Sequence, residues 1–381
     1  MLSNSDLVEL VAFRRELHRW PEVSGKESET AGRVVSQLTA LKPTEILTDL
    51  GGHGVAAVFV GAESGPTVLF RCELDALPIT DIGAVDWKSN VPGNGHLCGH
   101  DGHMTMILAL GRILSRNPVA RGRVVLMFQP AEEDGSGARA VVADPAFDQI
   151  KPDWAFAIHN VPGFPIGHLG LRAGLVNCAS RGLRITLNGK TSHASEPEAG
   201  VSPQAALTAL MPALSALGTG GALDDTFRLA TITHAQLGEP SFGISPGAAV
   251  IQVTLRATTD PDLEDMTQKA MALAGSEATR HGLELSVEDC DIFAASINHP
   301  DAVQIAARVV DSLGLDRNEN GLPMRGSEDF GVFGWDAKSA MMMLGAGLDQ
   351  PALHNPDYDF PDDLIPIGAA IFDGIAREIL G

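Results

Sequence analysis

Thr67-Val-Leu-Phe-Arg-Cys72 runs straight into Glu73-Leu-Asp75. The first six residues, mostly apolar and β-favouring, read as a buried strand, and the chemistry begins where the strand stops. The arrangement recurs downstream. Arg123-Val-Val-Leu-Met-Phe128 precedes Glu132-Glu133, and Trp154-Ala-Phe-Ala-Ile158 precedes His159. A further apolar run covers 55 to 60, and residues 104 to 116 read as a helix. Mixed strands and helices of this kind predict a layered α/β domain. In such sheets ligand sites gather at the carboxyl ends of the strands, so segments remote in sequence are expected to build one site.

Residues 96 to 103, His96-Leu-Cys98-Gly-His100-Asp-Gly-His103, supply the donors for such a site. Imidazole and thiolate are preferred ligands of zinc and its neighbours, and adjacent carboxylates can complete a shell and move protons. The spacing matches neither a Cys-x-x-Cys knuckle nor a His-Glu-x-x-His helix. Unrelated polar residues in a glycine-rich loop, with Cys98 as a small buried hydrophobe, are the plainer account. Close-set imidazoles repel when protonated and bind metal when neutral, which favours a metallohydrolase.

The 381 residues suit about two domains, and 44% hydrophobic content supplies ample core. A net charge of −21 repels phosphate backbones and anionic surfaces, so neither nucleic acid nor membrane is expected as a partner. Four cysteines, at 72, 98, 178 and 290, are too few and too far apart for a disulfide framework. No basic region with an apolar stretch behind it marks a secretory signal, and no apolar run approaches the ~20 residues of a span. A cytoplasmic protein is the expectation.

Ser5 and Asp6 can cap a first helix ending before Pro21, and a second helix follows near 27 to 41. From about 181 the pattern changes. Strand (183 to 187), helix (202 to 217), strands (227 to 236 and 248 to 258), helix (262 to 281) and strand (283 to 290) follow the ferredoxin-like βαββαβ order. After Pro300 a helix and the strand 339 to 344 resume the first style. The expected division is 1–179 and 294–381 as one domain, with 180–293 inserted into it.

Leu17-His-Arg-Trp-Pro-Glu22, Glu73-Leu-Asp-Ala-Leu-Pro78, Cys98-Gly-His-Asp-Gly-His103, Phe128-Gln-Pro-Ala-Glu-Glu133, Gly189-Lys-Thr-Ser-His193, Gly326-Ser-Glu-Asp-Phe330 and His354-Asn-Pro356 together resemble the dinuclear metallohydrolase family of aminoacylases and zinc carboxypeptidases. The resemblance is nearest to its amidohydrolase branch, which includes hippurate hydrolase and the hydrolases of indole-acetyl amino acids. It implies a mixed-sheet, zinc-peptidase-like catalytic domain with a lid that also forms a homodimer. It also implies two divalent ions per subunit, zinc or manganese, with cobalt and nickel equally suited to mixed N, O and S donors.

By the same resemblance the metal ligands are Cys98, His100, Glu133, His159 and His354, and Glu132 is the general base. Asp75 orients a ligand histidine through its second ring nitrogen. His193 reaches a neighbouring subunit's site and stabilises the oxyanion. Arg256 meets the substrate carboxylate. The implied reaction is hydrolysis of an N-acyl amino acid, with a metallodipeptidase or carboxypeptidase as the alternative. A silent metal-binding protein fits less well, because Glu132 and every implied ligand are present. A nucleophilic Cys98 competes with metal binding by the same thiolate. Two departures stand out. Phe242-Gly-Ile-Ser-Pro246 lacks the asparagine often found before Ile-Pro in the lid, and Glu73 stands where other branches place a histidine ligand. Glu196 and Glu198 add carboxylates beside His193, which would suit a cationic substrate side chain.

Overall fold

A computed structural model describes residues 2–381. Ten strands have six or more residues: β1 (Glu45–Leu50), β2 (Gly54–Val60), β3 (Glu63–Glu73), β4 (Arg121–Gln129), β5 (Trp154–Val161), β6 (Ala179–Asn188), β7 (Arg228–Leu237), β8 (Ala248–Ala257), β9 (Glu284–Phe293) and β10 (Lys338–Gly345). The helices are α1 (Asn4–Arg19), α2 (Ser28–Leu41), α3 (His100–Arg116), α4 (Gly137–Ala143), α5 (Gln204–Ser215), α6 (Asp260–His281), α7 (Pro300–Ser312) and α8 (Leu364–Leu380).

One compact unit comprises the chain up to Val176 with Ser296–Leu322 and Asp329–Gly381. Its eight-stranded mixed sheet has the order β1, β2, β4, β3, β5, β10, Leu169–Gly170, Arg317–Asn318. β3 lies parallel to both β4 and β5, and β10 parallel to β5. These four strands therefore end on the same edge, at Gln129, Glu73, Val161 and Gly345. Residues 67 to 73 and 124 to 129 are buried without a break, the mark of strands covered on both faces.

The second unit, Asn177–Ala295 with Pro323–Glu328, has a four-stranded antiparallel sheet in the order β7, β8, β6, β9. This is the βαββαβ arrangement expected from the sequence. β8 buries every second residue, from Ala249 to Ala257, so only one face is covered. Leu263, Met266, Ala270, Ala274 and Ala278 form the buried stripe of α6.

The fold class matches the expectation, but particular elements differ. α3 starts at His100 rather than at 104, which brings His100 and His103 into its first turn. Glycine and histidine are weak helix formers, and they hide that turn from a reading by apolar period. The cap of α1 is Ser3, which forms a reciprocal capping box with Asp6. β1 and α8 extend beyond the elements read from the sequence. No described helix is long and apolar enough to cross a membrane.

Candidate metal centre

The polar residues gather where β3, β4 and β5 end. Gly99, between Cys98 and His100, takes a left-handed conformation (φ 92°) and starts α3, turning both neighbouring side chains inward. After β4, Ala131 is also left-handed (φ 50°), and its N–H donates to Glu27 Oε1 at 2.8 Å. This turn presents Glu132 and Glu133 before α4 begins, so the acidic pair is not the first turn of a helix. His354 has φ 66° and donates its N–H to the Leu97 carbonyl at 2.9 Å.

All five expected ligands converge. Donor atoms of Cys98, His100 and His159 lie within 4.8 Å of one another, as do those of Cys98, Glu133 and His354, and those of His100, Glu132 and Glu133. Cys98 Sγ is 3.4 Å from His159 Nε2, and His354 Nε2 is 3.7 Å from Glu133 Oε2. His100 Nε2 stands 3.8 Å from a carboxylate oxygen of each glutamate. Zinc bonds of ~2.0–2.3 Å in a tetrahedral shell put neighbouring donors about 3.3–3.7 Å apart, so these spacings fit a shared ion.

The second ring nitrogens fix the tautomers. His159 Nδ1 faces the Asn160 carbonyl at 2.8 Å, and His100 Nδ1 faces the Asp75 carbonyl at 2.9 Å. A carbonyl only accepts, so both Nδ1 atoms are protonated and both Nε2 atoms face the cluster. His100 Nε2 is buried and makes no hydrogen bond within the protein, as expected of an atom kept for a cation.

For Asp75 the structure shifts the emphasis. Its backbone oxygen makes the close contact with His100, and the carboxylate stands 3.5 Å away. Asp75 Oδ2 accepts instead from Ser24 Oγ at 2.7 Å and from the Glu133 N–H at 2.9 Å. It thus ties the acidic turn to the end of β3.

Burial pushes the His159 imidazole down to about 3, helped by the nearby His103, and keeps it neutral. Burial acts the same way on His100, but Cys98, Glu73 and Asp75 outweigh it and hold a proton there. Burial and Glu133 raise the Cys98 thiol. Without a cation the cluster holds protons, which a divalent ion would displace.

Glu73 also lies near His100 and His103, yet its oxygens are engaged. One meets Arg71 and the other meets His103 Nδ1 at 2.6 Å. The position that carries a histidine ligand in other branches is here an ion-pair partner. Arg71 continues to Asp329 at 2.6 Å, and Gln129 bonds both of these residues.

The remaining residues are in the second unit. His193 is exposed, on a short strand (Ser192–His193) paired with Ile244–Ser245, and its Nδ1 bonds Ser195 Oγ at 2.7 Å. Arg256 is the last residue but one of β8, and its Nη1 donates to Ser327 Oγ at 2.6 Å and to the Arg325 carbonyl at 3.1 Å. Phe242 is fully exposed at the tip of its loop.

Several residues to which the sequence reading gave no role support the centre. Glu27 holds the Ala131 turn. Arg14 and His18 on α1 both reach Asp101, inside the motif that carries Cys98 and His100. His18 lies within the quoted Leu17–Glu22 motif and Arg14 one helical turn before it, and that was the available signal.

Residues 69–378 match the family model for peptidase family M20/M25/M40. An IAA-amino acid hydrolase (ILR1-like 5) of Arabidopsis thaliana is 27% identical, over 97% of this chain and 86% of the relative. The hippurate hydrolase of Campylobacter jejuni is 28% identical, over 98% and 97% respectively. The solved structure of Bacillus subtilis YXEP, described as a dinuclear metal-binding peptidase of the M20 family, superposes with a TM-score of 0.82 at 24% identity, covering 100% of this chain and 99% of that one. With the donor cluster at the strand ends, this match establishes the chain as a hydrolase of peptidase family M20/M25/M40, on its amidohydrolase side.

Proposed function

We propose that the protein hydrolyses the amide bond of an N-acyl amino acid, releasing a carboxylic acid and a free amino acid. The observation that carries this reading is the Glu132-Glu133 turn, with both carboxylates within 3.8 Å of His100 Nε2. Cys98, His100, Glu133, His159 and His354 hold two divalent ions, zinc or manganese by preference, with cobalt or nickel also suited to the donor set. Such a pair supplies a water of lowered pKa and a polarised carbonyl. Glu132 would take a proton from the attacking water and pass it to the leaving nitrogen, while Glu133 would be kept for ligation. Asp75 holds His100 and the acidic turn in register. Arg256 receives the substrate carboxylate, and His193 stabilises the oxyanion in the site of the other subunit of a homodimer formed through the second unit. Relatives named for IAA-amino acids, hippurate and N-acetyldiaminopimelate support this substrate class.

A hydrolysis screen tests it. Metal-stripped enzyme, reloaded separately with zinc, manganese, cobalt or nickel, is offered N-acyl amino acids and unmodified dipeptides. Cleavage of the acylated series is expected. Cleavage of the dipeptides alone would make the protein a dipeptidase, and activity that survives chelator but not alkylation would return Cys98 to the role of nucleophile.

A further inference from the structure

Asn160 ends the buried part of β5, immediately after His159, and its side chain is fully buried. An amide carries a donor and an acceptor on one rigid plane. Here Oδ1 meets His103 Nε2 at 2.5 Å, the Asn160 backbone N–H points at the same nitrogen at 3.2 Å, and Nδ2 donates to Tyr358 Oη at 2.6 Å. The same amide packs against the Gly99 backbone so closely that a Cβ at 99 would stand 2.5 Å from Oδ1. The Asn160 carbonyl in turn fixes the ring of His159.

One residue therefore touches three ligand-bearing segments: Cys98 to His103, His159, and the His354 segment through Tyr358. His103 extends the chain to Glu73 and Arg71. Each segment leaves a different strand or loop; the His354 N–H bond to the Leu97 carbonyl ties two of them, and the Asn160 amide links both to the His159 segment.

Resting on the ligand assignment proposed above, we propose that Asn160 is a positioning residue: its amide, wedged against Gly99 and held by His103 and Tyr358, sets the mutual spacing of the three ligand segments and so the retention of metal. Coordination tolerates ligand errors of only ~0.2 Å, and loss of an outer partner of a ligand typically costs about 10- to 100-fold in metal affinity. Leucine at 160 keeps the branched outline of the amide, is bulkier, and offers neither contact.

The test is metal release into a chelator, followed on the loaded protein at a temperature where every variant stays folded, alongside the kcat and KM of zinc-saturated enzyme. Asn160→Leu should bind zinc about 10- to 100-fold more weakly, and its kcat should fall with KM unchanged. Tyr358→Phe removes one of the two holds and should shift affinity the same way by less. Val309→Ala, a buried change on α7, serves as a control that lowers the melting temperature without altering metal release. Asn160→Leu that stays folded and releases zinc like the parent overturns the proposal. Should Asn160→Leu not fold, Tyr358→Phe decides, and unchanged zinc affinity there overturns it equally. A parent protein that binds no zinc overturns the ligand assignment, a result distinct from an unchanged variant of a zinc-binding parent.

Discussion

In the first unit Arg14 is fully buried and meets Asp101, Asp359 and Asp362; in the second, Arg184 meets Glu288 at 3.5 Å with both side chains about half exposed. The buried cation is surrounded because removing it from water costs several kcal/mol unless charges and hydrogen bonds replace the hydration. The exposed pair keeps its water and needs no such company. The same split separates the candidate site residues. Cys98, His100 and His159 lie inside a web of fixed partners, whereas His193 stands in solvent with its own neighbour Ser195 for company. Precision in this protein is therefore concentrated at the strand ends of the first unit.

The strongest challenge to that view is substitution within the acidic pair. Glu132→Gln should keep metal and lose about 10²- to 10⁴-fold in turnover, because the amide cannot accept the proton. Glu133→Gln should lose metal. Metal content and rate on both variants decide, and full activity in Glu132→Gln would remove the division of labour.

Next in size is Arg14→Ala, which leaves three carboxylates around an empty place and should destabilise the protein by about 3–5 kcal/mol in denaturant melts. His193→Ala should leave stability untouched and lower turnover by about 10²- to 10³-fold. Mixing it with Glu132→Gln under conditions of subunit exchange should return activity well above either parent variant. No recovery, with exchange verified by mass, would confine His193 to its own subunit.

A smaller effect sharpens the comparison through pH. Burial lowers the His18 imidazole, but Asp101 and Asp81 outweigh it and raise it to about 9. A raised value means the stabilisation is complete below the unfolded value of about 6.5 and disappears as pH climbs toward 9, an amount of about 3 kcal/mol. Melting the parent and His18→Asn across that range should show the parent losing more stability than the variant, the difference being the part that His18 contributes. Least of all, Arg184→Ala should cost less than about 1 kcal/mol.

The site was legible where chemistry follows a strand. Cys72 leads into Glu73 and Phe128 leads toward Glu132, so the ends of the apolar runs point to the edge where Asp75, Glu133 and His159 come together. Partnerships that span the chain were not legible. Arg14 and Asp101 stand 87 positions apart, and Asn160 meets Tyr358 across 198, with no period or spacing to announce either. The first turn of α3 was hidden for a local reason, since Gly99 and Gly102 interrupt the apolar pattern that marks a helix. The role of Glu73 became readable only once Arg71 and His103 were seen to occupy its oxygens.

The strand order has a consequence for synthesis. β10 lies between β5 and Leu169–Gly170, although those two are close neighbours in the chain and Lys338 follows Gly170 by 168 positions (338 minus 170). As the polypeptide leaves the ribosome, β5 waits with an open, apolar edge while the whole four-stranded unit is made. Such long-range parallel pairing is slow, and an unpaired edge invites association with other chains. Only when β10 slots home can His354, which follows it, join Cys98 and Glu133. Completion of the donor cluster then waits on the last strand to join the sheet, and a chain stopped before residue 338 keeps the edge of β5 open.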